Sequence, residues 1–113
     1  MGCLFCKIAN GELPATIIYE DNDVLAFHDI DQQAPTHLLI IPRKHISTIN
    51  DTETNDQQLL GHLLLTAKRL AHENQLSNEG YRLVFNVNPA GGQTVYHIHL
   101  HLLGGRQMTW PPG

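Results

Sequence analysis

The 113-residue sequence contains few charged residues, few aromatic side chains and two cysteines. Its seven lysines and arginines are dispersed and outnumbered by eleven acidic residues, so the formal net charge is −4. Sparse basic charge argues against a groove for polymeric nucleic acid and against a polybasic membrane patch. No apolar run approaches the roughly 20 residues that span a bilayer, and the start of the chain lacks a signal-peptide pattern. We therefore expect a cytoplasmic protein without nucleic-acid or membrane partners.

The length and the hydrophobic share of 42% suit one globular domain with a continuous core. The sequence has neither an internal repeat nor a low-complexity segment. We expect a single domain over residues 1–113.

Several short segments have the composition of β-strands. Residues 15–20 and 24–27 flank the turn-forming Asp21-Asn22-Asp23 and predict a hairpin, and the apolar run 36–42 predicts a central strand buried on both faces. Residues 81–87 and 95–103 predict two further strands, separated by a turn-rich loop over 88–93. Strands of this kind with one long helix indicate an α+β domain.

One long helix is predicted after residue 52. Polar residues 52–55 form a plausible helix start with capping groups and early acids. Apolar residues then recur at helical spacing: Leu59, Leu60, Leu63, Leu64, Ala67, Leu70 and Ala71. A short helix or turn is expected at the N-terminal end, before Asn10-Gly11.

Three histidines occupy alternate positions, His97, His99 and His101. In a strand these side chains point to one face, about 6 to 7 Å apart, which suits work on one small group such as a phosphate or a metal ion. A neutral imidazole can attack phosphorus if its other nitrogen donates to a fixed acceptor, and His99 is best placed for that. Gly91-Gly92-Gln93-Thr94, just before the histidines, offers groups that bind phosphate. The pattern alone leaves metal and phosphate both open.

The segment from His97 to Leu103 resembles the His-φ-His-φ-His-φ-φ motif of the histidine triad superfamily, where φ is apolar. The chain resembles the Hint branch of that superfamily, the histidine triad nucleotide-binding proteins, over essentially its whole length. Segments that carry this similarity include Ala34-Pro35-Thr36-His37, Ile41-Pro42-Arg43-Lys44-His45-Ile46 and Trp110-Pro111-Pro112-Gly113. The resemblance implies a HIT-like fold, with a mainly antiparallel sheet, one long helix and a short N-terminal helix.

The resemblance also implies an activity, a purine nucleoside phosphoramidase without an organic cofactor. His99 is then the nucleophile that forms a nucleotidyl-histidine, and the other catalytic residues are His97, His101 and His37. The residues implied to contact the nucleotide are Phe27, Asp29, Ile30, Asn86, Gly92, Gln93, Thr94, His99 and His101. Many members carry Ser where Thr94 stands. A homodimer is implied as well, with the C-terminal segment from Met108 reaching toward the partner's site.

Cys3 and Cys6 form a Cys-x-x-Cys pair with three competing interpretations. A structural zinc site needs two more ligands, a redox motif lacks the expected flanking elements, and two inert buried thiols are the plainest case. Some histidine triad relatives, including galactose-1-phosphate uridylyltransferase, bind zinc through corresponding positions. That resemblance favours structural zinc held by Cys3, Cys6, His45 and His97.

Two other functions remain as alternatives. One is a zinc-containing nucleotide-binding regulatory or scaffold protein with little turnover. The other is a dinucleoside polyphosphate hydrolase or nucleotidyl transferase. The C-terminal Trp-Pro-Pro-Gly favours the phosphoramidase through resemblance alone.

Overall fold

A computed structural model describes residues 2–113. The helices and strands are α1 (Leu4–Ala9), β1 (Ile17–Glu20), β2 (Val24–His28), β3 (Thr36–Pro42), α2 (Gln57–Glu73), β4 (Tyr81–Val84) and β5 (Leu100–Gly104). Short 3-10 turns cover Ile49–Asp51, Thr54–Asp56 and Pro89–Gly91. The five strands form one antiparallel sheet in the order β1-β2-β3-β5-β4. The predicted α+β class, with a long helix and a short N-terminal helix, is confirmed.

The two faces of the sheet are covered by different helices. Leu38 and Ile40 of β3 belong to a buried cluster with Leu63 and Leu70 of α2. The alternate β3 residues, Leu39 and Ile41, join a second cluster that contains the α1 residues Phe5 and Ile8. Because both sets are buried, β3 is apolar on both faces from Leu38 to Pro42, as its sequence predicts.

The hairpin and the long helix form where they are predicted, with shifted ends. The Asp21 carboxylate accepts hydrogen bonds from the amides of Asp23 and Val24, which closes the turn between β1 and β2. The helix α2 begins at Gln57 because Glu53 and Asp56 form a capping box around the preceding 3-10 turn. None of the helices in residues 2–113 is long and apolar enough to cross a membrane.

The predicted strand 95–103 is wrong in its first half, because β5 begins at Leu100. The last pair between β3 and β5 is Ile40 with Leu100. Beyond it Pro42 has no amide hydrogen to donate, and its carbonyl accepts a hydrogen bond from the His97 ring at 2.8 Å. The Ile98 amide donates to the carbonyl of Ile46. Likewise, the strand predicted to reach residue 87 ends at Val84.

Candidate active site

The triad histidines lie on the α1 face of the sheet. Ile98, Leu100 and Leu102 alternate with them and are buried in the α2 cluster on the other face, so the alternation of apolar and histidine side chains is present. His99 and His101 have ring centroids 5.0 Å apart. Their rings line one cavity.

His97 does not line this cavity, contrary to the expectation of three imidazoles on a single shared surface. Its ring is fully buried and points toward Cys3 and Cys6. The reason is the Pro42 carbonyl, which holds the other ring nitrogen of His97. The three rings of the motif therefore serve two places: His99 and His101 face the cavity, and His97 faces the cysteines.

The hydrogen bond of His99 defines its tautomer. Its Nδ1–H donates to the carbonyl oxygen of His97 at 2.8 Å, and the ring is 7% exposed. The proton on Nδ1 leaves a lone pair on Nε2 when the ring is neutral. His99 is thus arranged to present an unprotonated nitrogen.

A second set of hydrogen bonds defines the tautomer of His101. The Gln33 amide donates to His37 Nδ1 at 3.1 Å, which leaves the proton of His37 on Nε2. His37 Nε2–H in turn donates to His101 Nδ1 at 2.9 Å. His101 consequently carries its proton on Nε2 and can donate from there. We call the contacts from Gln33 through His37 to His101 the histidine relay.

Burial keeps these imidazoles neutral near pH 7. Desolvation lowers the pKa of His99, although the hydrogen bond to the His97 carbonyl and the charge of Asp29 oppose it. Desolvation, with the nearby rings of His99 and His37, lowers the pKa of His101 to about 4. Desolvation also lowers the pKa of His37 despite the carboxylate of Asp29. A neutral His99 is the form that can attack an electrophile.

The cavity has a volume of about 1190 Å³ and is open to solvent. It lies between α1, β2, the 29–33 loop and the 86–94 loop. The predicted site residues among its lining are Phe27, Asp29, Ile30, His37, Asn86, Gly92, Thr94, His99 and His101. Leu4, Phe5, Ile8, Leu13 and Gln33 line it too and were absent from the sequence prediction. The i, i+3 spacing of Phe5 and Ile8 is the one sequence signal that could have indicated a covering helix.

Gln93 does not line the cavity, although it was expected to contact phosphate. Its side chain is 5% exposed and fully used inside the 86–94 loop. The amide nitrogen donates to the carbonyls of Ser47 and Val95, and the amide oxygen accepts from the Asn88 amide. Asn88 has a φ of +64°, and this contact holds its strained backbone. Gln93 therefore shapes the loop that carries Asn86, Gly92 and Thr94.

Asp29 lines the cavity next to the relay. One of its carboxylate oxygens accepts from the Asp31 amide at 2.8 Å. The other lies 3.4 Å from His37 Nε2, farther than the His101 nitrogen that His37 contacts. Ile30, the next residue, is fully exposed at the rim.

Cys3, Cys6, His45 and His97 converge on one point, and we call them the Cys/His cluster. Their candidate ligand atoms lie within 4.8 Å of one another. His97 Nδ1 is 3.3 Å from the Cys3 sulfur, 3.6 Å from the Cys6 sulfur and 3.2 Å from His45 Nδ1. His45 Nδ1 is 3.4 Å from the Cys6 sulfur.

These four separations, 3.2 to 3.6 Å, lie close to those between tetrahedral zinc ligands. Zinc–sulfur bonds of about 2.3 Å and zinc–nitrogen bonds of about 2.0 to 2.1 Å place tetrahedral ligands roughly 3.3 to 3.8 Å apart. The hydrogen bond from His97 Nε2–H to Pro42 leaves the Nδ1 lone pair directed at the cluster, as a metal ligand requires. Burial, with the neighbouring Cys3, raises the pKa of the Cys6 thiol, an effect that a bound cation would oppose. The donor set thus suits a structural zinc ion.

A second group of potential ligands, Asp29, His37 and His101, is less suited to a metal. The Gln33 amide occupies His37 Nδ1, so the His37 nitrogen that faces this group bears a hydrogen. A protonated nitrogen cannot act as a ligand. His37 and His101 of this group belong to the histidine relay instead.

Comparison with known proteins shows the family of this chain. The HIT domain family model matches residues 10–108. The chain belongs to the HIT domain family. The solved structure of a HIT family hydrolase from Legionella pneumophila has a TM-score of 0.98 and 69% sequence identity, covering 99% of this chain and 100% of that one.

Two further relatives bear on the site. A 14 kDa zinc-binding protein of Zea mays is 52% identical over 112 residues, 97% of this chain and 87% of the relative. A histidine triad nucleotide-binding protein of Candida albicans has a solved structure with a TM-score of 0.84 and 30% identity, covering 97% of this HIT chain and 83% of that one.

Proposed function

We propose that this HIT protein hydrolyses purine nucleoside 5′-phosphoramidates, such as amides of adenosine monophosphate, to the nucleoside monophosphate and an amine. The observation that carries the proposal is the neutral His99 ring, with Nδ1–H bound to the His97 carbonyl and Nε2 available in a large open cavity. The names of the Legionella and Candida proteins support hydrolysis and nucleotide binding. The resemblance to the Hint branch supports the phosphoramidate as substrate.

In the first step, His99 Nε2 attacks phosphorus and a phosphorus–nitrogen bond to the ring forms. The bond from phosphorus to the substrate nitrogen breaks, and the amine leaves with a proton from water at the open mouth of the cavity. In the second step, a water oxygen bonds to phosphorus and the His99–phosphorus bond breaks. The electron pair returns to Nε2, the water proton passes to solvent, and neutral His99 is regenerated.

His101 stabilises the charge that develops on the phosphoryl oxygens. Its Nε2–H is the only N–H group of the ring when His37 donates to Nδ1, so the direction of this donor is fixed before substrate binds. Preorganised donors of this kind lower barriers because they need no reorientation during the reaction. His37 acts through His101 and is a positioning residue. Gln93 is likewise a positioning residue for the phosphate-binding loop, whereas His97 positions His99 through its carbonyl.

The nucleoside part is bound by the remaining cavity residues. Asp29 has a carboxylate oxygen beside the relay that can accept from ribose hydroxyls. Phe27 and Ile30 offer apolar surface to the two sides of a purine, Asn86 and Thr94 offer polar side chains to the phosphate, and Gly92 leaves room beside them. Gly92 has a φ of +86° and its amide donates to the carbonyl of Pro89, so its contribution is a turn without a side chain in the way of the phosphate.

Zinc is proposed as a structural ion of the Cys/His cluster, which would cross-link α1 to the segments that bear His45 and His97. The name of the Zea mays relative and the tetrahedral ligand spacing support it. None of the chemical steps uses the metal.

A homodimer is also proposed. The exposed apolar residues Leu64 and Leu65 lie on α2, and β4 is an edge strand of the sheet. Together with the resemblance, they support pairing of two copies through this surface. Light scattering should give a dimer mass that Leu65→Glu reduces to the monomer mass; an unchanged dimer in Leu65→Glu would exclude this surface.

The activity is tested with an adenosine 5′-phosphoramidate of a chromogenic amine. We expect amine and adenosine monophosphate in equal amounts, and a loss of at least about 10³-fold in kcat for His99→Asn because the nucleophile is gone. His72→Asn, an exposed histidine on α2, is the matched control and should keep full activity. Thermal melts of both variants verify folding.

Other outcomes separate the alternatives. Cleavage of a dinucleoside polyphosphate with no amine release would favour the polyphosphate hydrolase, and transfer of the nucleotide to an added acceptor would favour a transferase. Tight nucleotide binding without any turnover would favour a regulatory protein. Unchanged turnover by folded His99→Asn would exclude the proposed nucleophile.

A further inference from the structure

His97 takes part in both the Cys/His cluster and the catalytic site. Its ring nitrogen Nδ1 lies among the thiols and His45, and its carbonyl oxygen accepts the Nδ1–H of His99. The second ring nitrogen is fixed on Pro42, and the side chain is completely buried. Because the surroundings of His97 are closely packed, a shift of its ring also moves the peptide group that orients His99.

The helix α1 provides a second connection. It carries Cys6, is capped by Cys3, and places Phe5 between the two sites. The Phe5 ring packs edge-on against His99 with centroids 5.1 Å apart, and lies 6.0 Å from the His97 ring. Phe5 and its helix neighbours Leu4 and Ile8 form one wall of the cavity.

The two ends of α1 are held differently. At its C-terminal end, Arg43 donates to the carbonyl of Ala9 at 2.8 Å. At its N-terminal end, the polar contacts of the Cys3 and Cys6 sulfurs to the rest of the fold go to His45 and His97. A helix of six residues has little stability of its own, so its position depends on these contacts and on packing. Thiol–imidazole contacts are weak, whereas metal–ligand bonds are strong.

We propose that zinc at the Cys/His cluster and a nucleotide in the cavity strengthen each other's binding, through the His97 carbonyl and the Phe5 ring. The metal holds the N-terminal end of α1 against His97, which orders a cavity wall and the hydrogen bond of His99. A nucleotide that contacts the ordered wall and His99 then binds more tightly. This inference rests on the proposed nucleotide binding and adds to it a regulatory input, the supply of zinc.

Linkage requires the effect to be reciprocal. If zinc raises the affinity for a nucleotide by some factor, the nucleotide raises the affinity for zinc by the same factor. Couplings between two sites in one protein commonly amount to about 5-fold or more. We expect at least about 5-fold here, because the connection passes through one buried residue and one short helix.

The experiment measures the affinity of adenosine monophosphate by calorimetry, with one equivalent of zinc and after chelation. The affinity of zinc is measured separately by competition with a chromophoric chelator, with and without saturating adenosine monophosphate. The two ratios should be equal and at least about 5. In proton–nitrogen NMR, the His99 Nδ1–H signal should exchange more slowly with water in the zinc-loaded protein.

Two variants test the route. Cys3→Ser keeps an oxygen acceptor for the Cys6 amide, and thus the cap of α1, but replaces the soft sulfur ligand. Zinc should bind it more weakly, and adenosine monophosphate should bind it as it binds the metal-free parent protein. Phe5→Leu retains all ligands, so its zinc affinity without nucleotide should stay unchanged while the coupling ratio falls toward 1.

The outcomes are distinct. If adenosine monophosphate binds equally well with and without zinc, this inference is wrong and the proposed function stands. If it binds in neither state, the proposed function fails as well. Failure to bind zinc would overturn the inference, and so would a metal-free protein that circular dichroism finds unfolded, since the linkage would then be global. Equal ratios that persist in Phe5→Leu would exclude the Phe5 route.

Discussion

The histidine relay makes a quantitative prediction for His37→Phe. The side chain is 3% exposed, so a phenyl ring of similar size fills the site and the change removes mainly hydrogen bonds. The bond from His37 Nε2–H to His101 Nδ1 measures 2.9 Å, and a neutral hydrogen bond contributes about 1 kcal/mol, which equals roughly five-fold in rate. Without it, the His101 proton distributes over both ring nitrogens. We expect kcat to fall about five- to ten-fold with little change in KM.

The assay is steady-state hydrolysis of the adenosine phosphoramidate by the variant and by the double variant that adds His101→Asn. If His37 acts only through His101, the double variant should be no slower than His101→Asn alone. His62→Phe is the control, because His62 lies on α2, pairs with Asp21 and does not line the cavity; this variant should retain full kcat. Additive losses in the double variant, or a loss beyond about 100-fold in His37→Phe alone, would refute the relay.

Three further predictions concern stability and recognition. In the unfolded chain His101 takes up a proton near the ordinary histidine pKa of 6.5, whereas in the folded protein its pKa is about 4. The free energy of unfolding should therefore fall as the pH drops from about 6.5 to 4, by at most about 3 kcal/mol from this group, and equal urea midpoints at pH 7.5 and pH 4.5 would contradict this. Gly105→Ala should lower Tm more than Gly80→Ala, because both glycines have positive φ but an added Cβ at Gly105 would lie 2.9 Å from Pro35, whereas Gly80 faces open space; equal shifts in Tm would exclude that contact. Asp29→Ala should weaken adenosine monophosphate binding about ten-fold and abolish the preference over the 2′-deoxynucleotide, whereas a calorimetric preference that survives would remove Asp29 from ribose recognition.

Much of the fold follows from local patterns. The leucine spacing of α2 and the apolar run of β3 each predict one element from the local sequence alone. The ends of the strands depend on their partners instead. Pairing of β5 stops at Leu100 because Pro42 has no amide hydrogen and its carbonyl binds the His97 ring, a contact between residues far apart in sequence.

For the site, the sequence predicted which residues take part better than it predicted where their side chains point. Alternation identified the triad, but it could not indicate that His97 turns toward the cysteines, because that depends on a carbonyl of β3. His45 became a candidate ligand only through resemblance, since the fold alone brings it next to Cys6. Gln93 has the chemistry of a phosphate ligand, but its amide is consumed by backbone groups of the loop.

The wall formed by α1 was the least visible from sequence. Six residues carry too little periodicity to predict which surface they cover, and Phe5 packs against His99, a residue near the other end of the chain. Its role emerges only from the tertiary structure. The link between the Cys/His cluster and His99 has the same origin.

During turnover, His99 Nε2 is expected to bond to phosphorus. The most direct test is to mix the protein with an adenosine phosphoramidate, quench within milliseconds into denaturant at alkaline pH, and locate the adduct by mass spectrometry of proteolytic fragments. We expect the mass of an adenylyl group on His99 and its absence from His99→Asn. An adduct on His101 or on another residue, or turnover that never forms one, would contradict it.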